Sequence, residues 1–328
     1  MVLQISKLVI RGVLLPAFLS RRLVSLIPVM FGVSLITFML IELAPGDPAE
    51  IYLMRLDVEA TPAAISEVRE QMGLDGPVHI RYLNWLVRVI KGDLGYSYTS
   101  GNPVMQEISS RFPATLQLAA GGLLAMILIA LPLGIAAALA KGRIIDHLSR
   151  LIALVGASVP SFYLGLLLIS YLAVRYHWLP VMGAGSWRHL LLPSLTLGFG
   201  LAATYARLLR AGLLEVLQLD YVRAARARGL RETVVVAGYA LRNALIPLVT
   251  VFGLSLGSLL GGTMVVEQVC AWPGVGRLAV QAIFDRDIPI LQGYALLMAV
   301  IYVLVNLAVD ISYRYLDPQV RLDEKGEY

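Results

Sequence analysis

Asp220-Tyr-Val-Arg-Ala-Ala-Arg-Ala-Arg-Gly229-Leu230 reads as a helix made for water, set between stretches made for lipid. Its alanines favour the helical state, and Gly229 marks its end. Arg223, Arg226 and Arg228 spread round it, while Ala224, Ala225 and Ala227 leave flat surface for close packing. A basic, small-faced helix of this kind can press into a groove while its arginines bond the rim. The plainer alternative is an ordinary basic loop beside a membrane.

Working outward, the chain is 58% hydrophobic and 15% charged over 328 residues, with a mean hydropathy of +0.75. Soluble domains hold about 45–50% apolar and roughly 25% charged residues, so the excess here needs a second solvent. Crossing a hydrocarbon core of about 30 Å takes roughly 20 residues. Six segments meet that length or approach it: Leu23–Ala44, Leu116–Ala140, Leu151–Val174, Leu190–Ala206, Ala244–Val266 and Leu291–Tyr313. The expected fold is an all-α polytopic membrane protein with six transmembrane helices. Residues 116–313 are expected to form the core membrane domain, interrupted by a basic polar segment at 207–243.

Lysine and arginine placement sets the orientation. With the N-terminus inside, cytoplasmic segments hold 17 of the 27 basic residues, 7 of them in 207–243. Both termini are therefore expected in the cytoplasm, with 1–22 an interfacial segment and 314–328 a tail. The net charge of +5 follows from the same bias, so nucleic acid is not needed to explain it. One cysteine, Cys270, allows no disulfide within the chain.

The 45–115 loop is too long to be idle connection. Pro45-Gly-Asp-Pro48 makes a rigid turn. Thr61-Pro62 opens a helix that Gly73 ends, and the apolar spacing predicts another over Val78–Ile90. Val104–Phe112 reads as a short amphipathic run that feeds the second span at Pro113. These pieces make an external helical cap, either a plug or a docking surface. The loop after the fifth span carries Glu267, Trp272, Pro273, Gly274, Arg277 and Asp287, with Leu278–Phe284 too short to span. Such backbone at membrane depth must be buried in protein or line a wet cavity. It is a candidate gate at a pathway mouth, or a structural plug.

No chemistry of an enzyme stands out. The four histidines are scattered, and neither metal-ligand spacing nor a phosphate-binding glycine loop occurs. Gly253-Leu-Ser-Leu-Gly257 matches a hydrolase pattern in letters only. It lies in mid-span, where small residues serve helix packing. Glu42, Asn306 and Asp310 sit near span ends, without the row of ionisable groups an ion-coupled carrier uses. No catalytic residue, metal ligand or cofactor is assigned to this chain.

At Asp220–Leu230 the chain resembles the permease subunits of ATP-binding-cassette importers, and within them the B-type subunit of the dipeptide, oligopeptide and nickel permeases. Pro45-Gly-Asp-Pro48, Met72-Gly-Leu-Asp75, Gly92-Asp-Leu-Gly95, Pro113-Ala-Thr-Leu116, Ser158-Val-Pro-Ser-Phe162, Gly261-Gly-Thr-Met264, Trp272-Pro-Gly-Val-Gly-Arg277, Arg286-Asp287 and Leu316-Asp-Pro318 extend the likeness from about Arg21 onward. Arg223 stands where the wider importer group has glutamate, and Pro247 comes later than usual, as in the peptide and nickel branch. The resemblance implies a type I importer transmembrane domain in a bacterial or archaeal inner membrane, embedded in lipid. It implies as partners a homologous second permease, two ATPase subunits that use ATP and Mg, and an extracytoplasmic substrate-binding protein. Asp220, Tyr221, Arg223, Ala224, Ala225, Arg226, Arg228 and Gly229 would contact the ATPase. The compact 175–189 loop and Ile283–Asp287 favour nickel or a metal chelate over small peptides. The other reading is a stand-alone secondary carrier or channel.

Overall fold

The computed structural model describes residues 24, 27–40, 42, 43, 46–56 and 58–316. The expected segment 1–22, Pro45 and residues 317–328 of the tail lie outside these. The described chain is helical, in two compact units: residues up to 110 with 281–307, and 111–280 with the residues from 308. In chain order the helices are α1 (Ile27–Leu40), α2 (Pro48–Arg55), α3 (Pro62–Gln71), α4 (Val78–Ile90) and α5 (Val104–Leu139). Next come α6 (Ile144–Ser158), α7 (Ser161–Leu168) with a π-helical end at Ile169–Arg175, α8 (Trp187–Val216) and α9 (Asp220–Ala227). The short α10 (Glu232–Val234) and α11 (Leu241–Ala244) flank a π-helical stretch, Val235–Ala240, before α12 (Ile246–Val269), α13 (Val275–Asp285) and α14 (Ile288–Leu316).

Three helices are long and apolar enough to cross a membrane: α5, α8 and α14 over Ile288–Val309. Two bent pairs could each add a crossing, which gives three to five candidate spans among the described residues. α1 is the described part of the expected first span. The third expected span, Leu151–Val174, is not one rod; α6 and α7 meet at 106°. Val159 is extended there (φ −80°, ψ 122°). Pro160 explains this, since it has no N–H to donate and pushes the residue before it out of the helical region.

The second expected span corrects in the opposite sense. Val104–Phe112 is no separate run, because α5 continues through Pro113 and Pro132 for 36 residues. At 1.5 Å per residue that is about 54 Å, well beyond the hydrocarbon core. α8 also outruns Leu190–Ala206 at both ends.

In the unit of 111–280, α8 packs against α6, α7, α11 and α12. Ala202, Tyr205, Ala206, Leu209 and Leu213 of α8 meet Met126 and Ala130 of α5, with Val236, Ala240 and Leu248. Close approach depends on small residues. A Cβ on Gly198 would lie 2.5 Å from the Gly122 carbonyl oxygen, and one on Gly253 would lie 2.5 Å from a Val309 methyl. Gly253 is therefore a packing residue. In the other unit, Tyr82 and Trp85 of α4 pack with Phe38 of α1 and Leu296 of α14.

Candidate functional site

α9 is seated by two residues and open elsewhere. Val222 and Ala225 are buried and pack on Val235, with Val216 and Leu217 alongside. At 100° per residue, Ala224 and Ala227 fall on the far face, flanked by Arg223 and Arg228, and all four are exposed. The structure thus sorts the three alanines. Ala224 and Ala227 are available for contact, whereas Ala225 faces inward and belongs to the seat.

The C-terminal end of α9 is closed by a specific motif. Gly229 N donates to the Arg226 carbonyl (2.9 Å) and Leu230 N to the Ala225 carbonyl (3.4 Å), with Gly229 at φ +76°. This is the Schellman arrangement, which needs a left-handed residue at that position. Arg226 folds back to hold Glu232 by two bonds of 3.1 and 2.6 Å, and that guanidinium keeps the Glu232 carboxyl below the usual glutamate range. Arg223 lies 3.6 Å from Asp220, whose side chain is fully exposed. Asn243 donates to the Tyr221 hydroxyl at 2.6 Å, which ties α9 to the end of α11.

The loop after α12 is built round a buried carboxyl. Glu267 is fully buried, as is Thr115 of α5. Thr115 Oγ1 donates to Glu267 Oε1 (2.6 Å), Arg277 N donates to Glu267 Oε2 (2.9 Å), and Val275 N donates to Thr115 Oγ1 (2.9 Å). Trp272 is buried and its indole N–H reaches the Ala114 carbonyl (2.7 Å). Arg277 Nη1 bonds the Ala271 carbonyl (2.8 Å). Gly274 and Gly276 are required by this packing. A Cβ on Gly274 would lie 2.2 Å from the Glu267 carboxyl carbon, and one on Gly276 would lie 2.6 Å from Met264 Cα. Pro273 is exposed.

Asp287 has its own network in the other unit. It is buried and accepts from Ser97 Oγ (2.5 Å), Tyr98 N (3.2 Å) and Thr99 N (3.1 Å). Burial, then the Asp287 charge, pushes the Tyr98 phenol up to about 12. Tyr98 helps to line a cavity of about 700 Å³ with Tyr52, Trp85, Arg88, Tyr96 and Gln292. The expected gate residues therefore form two clusters, one on Glu267 and one on Asp287. Ser97 and Glu232 had no sequence signal of their own, and Thr115 was marked only as part of Pro113-Ala-Thr-Leu116. Among the described residues, no three of His, Cys, Asp and Glu gather as a metal site.

Long apolar helices packed through glycine, with one basic helix seated on two buried residues, mark a polytopic helical membrane protein. Residues 130–322 match the family described as the binding-protein-dependent transport system inner membrane component, and 15–119 match its N-terminal component. The chain belongs to this family, as a permease subunit of an ATP-binding-cassette importer of the bacterial inner membrane. It is 43% identical over 304 residues to the glutathione transport system permease protein GsiC of Salmonella typhimurium, covering 93% of this chain and 98% of the relative. The GsiC of Escherichia coli (strain K12) is 44% identical over the same shares. A chain of the inward-facing MetNI methionine ABC transporter shares the fold, with a TM-score of 0.56 at 22% identity over 65% of this chain and 97% of that one.

Proposed function

We propose that this permease is half of a type I translocation pathway, with six spans and both termini in the cytoplasm. A homologous second permease completes the pathway, and two ATPase subunits sit beneath. The far face of α9 enters an ATPase groove. The outward Ala224–Ala227 surface carries this reading, because small side chains flanked by arginines suit docking against a rimmed groove. Motion of α9 then passes through Val222 and Ala225 into the Val235–Ala240 stretch and on to α12. The 45–115 and 267–290 loops face the binding protein.

The substrate we infer is a small peptide of the glutathione kind. Support comes from the glutathione transport permeases that are 43–44% identical over nearly the whole chain. The nickel reading of the 175–189 loop has no comparable support. Calorimetry on the purified cognate binding protein tests the choice, with glutathione, short peptides and nickel as titrants. Saturable binding of glutathione or a peptide is expected, and binding of nickel alone would overturn it.

A further inference from the structure

Two helices of the 45–115 loop turn opposite chemistry outward. α3 has no buried residue and exposes Ser66, Glu67, Glu70 and Gln71, as a helix in water does. α4 is apolar on two sides. Tyr82 and Trp85 pack inward on Phe38 and Leu296. On the far side Ile80, Leu83, Val87 and Ile90 are 47, 56, 50 and 76% exposed. Their spacing of i, i+3, i+7 and i+10 makes one continuous stripe. Arg81, Asn84 and Arg88, at i, i+3 and i+7, form a single polar flank between the two apolar faces.

Contacts to α1 fix the depth of α4. The Tyr82 hydroxyl is 2.9 Å from Ser34 Oγ, and Ser34 lies midway along the apolar stretch Leu23–Ala44. Arg81 pairs with Glu42 at 2.7 Å, eight residues nearer the C-terminal end of that stretch. α4 therefore lies beside the C-terminal half of a membrane helix, at the level where its side chains face lipid. Ile36, Leu40 and Leu43 of that half are 60, 65 and 78% exposed, so an open apolar surface already exists at this level.

We propose that α4 is an interfacial membrane helix, with lipid acyl chains covering Ile80, Leu83, Val87 and Ile90, Asn84 and Arg88 facing headgroups and water, and Arg81 held on the same flank by Glu42. A helix in the interface plane carries this pairing of apolar stripe and basic flank. A protein-facing side opposite a lipid-facing side leaves one flank for water, and Arg88 on that flank lines the cavity described above. A water-borne partner would then meet α3 and the cavity rim rather than the α4 stripe. The proposal rests on the membrane location of the chain, not on its substrate or its ATPase contacts.

The test is site-directed spin labelling of the assembled transporter in phosphatidylethanolamine–phosphatidylglycerol liposomes. Single cysteines replace Leu83, Val87, Asn84 or Arg88, all exposed positions. The native Cys270 is buried, which shields its thiol from labelling. Labels at 83 and 87 should be relaxed several-fold more by oxygen than by water-soluble chromium oxalate, and labels at 84 and 88 should show the reverse order. Chromium reaching 83 and 87 would place the stripe in water. Neither relaxer reaching them would place it under another protein. Either result overturns the proposal, whatever the uptake assays give.

Discussion

α9 and the Glu267 cluster hold their shapes by different means. α9 rests on two buried side chains and closes its end with its own backbone, and its partners lie within 22 residues of sequence. The Glu267 cluster joins Thr115 to a carboxyl 152 residues away and excludes water from both. A local, exposed element can change partners at little cost. A buried polar cluster cannot, because each group left unpaired costs about 1–3 kcal/mol. The difference suits one region to move against a partner and the other to stay rigid.

Breaking the rigid side should give the largest effect. Glu267→Leu removes the acceptor of Thr115 Oγ1 and Arg277 N, and should destabilise the protein by on the order of 3 kcal/mol. The check is a lowered unfolding midpoint in detergent, together with a lower yield of folded protein. Gly274→Val should act in the same direction, since its side chain would collide with the Glu267 carboxyl.

Gly229→Val attacks the local, exposed side. A β-branched residue at φ +76° costs about 1–2 kcal/mol locally. The unfolding midpoint should fall by less than for Glu267→Leu, while uptake should be lost. An intact midpoint with intact uptake would remove the distinction between the two regions.

Trp272→Phe keeps an aromatic ring but loses the bond to the Ala114 carbonyl. A cost of about 1 kcal/mol is expected in the same unfolding assay.

The smallest effect belongs to Arg226→Ala. The Arg226–Glu232 pair is surface-exposed, so its loss should cost under about 0.5 kcal/mol and less at high salt. Because Arg226 holds the Glu232 carboxyl low, the contribution is present above the ordinary glutamate range. It is lost as pH falls through the lowered folded value. Unfolding of wild type and variant compared at neutral and acid pH checks this, and the two should converge in acid.

Local pattern made α4 and α9 legible in the sequence. The apolar spacing of Val78–Ile90 and the alanine–arginine pattern ended by Gly229 both act within one or two turns. The course of α5 was not legible, because a proline inside a membrane helix and one that ends it look alike in sequence. The bend at Val159-Pro160 was hidden for a related reason, since hydropathy averaged across it reads as one span. The Glu267 cluster was half legible. Its glycines were visible, but the buried carboxyl beneath them is a tertiary fact. The sorting of Ala224 from Ala225 likewise depends on Val235, which seats one and not the other.

The claim that α9 couples this permease to an ATPase is tested most directly by Ala224→Glu. That position is exposed and on the far face, so the fold should be unaffected. With the whole transporter in proteoliposomes, we expect normal insertion and assembly of the variant chain but loss of binding-protein-stimulated ATP hydrolysis and of uptake. Stimulated hydrolysis and uptake at wild-type levels would contradict the docking role of α9.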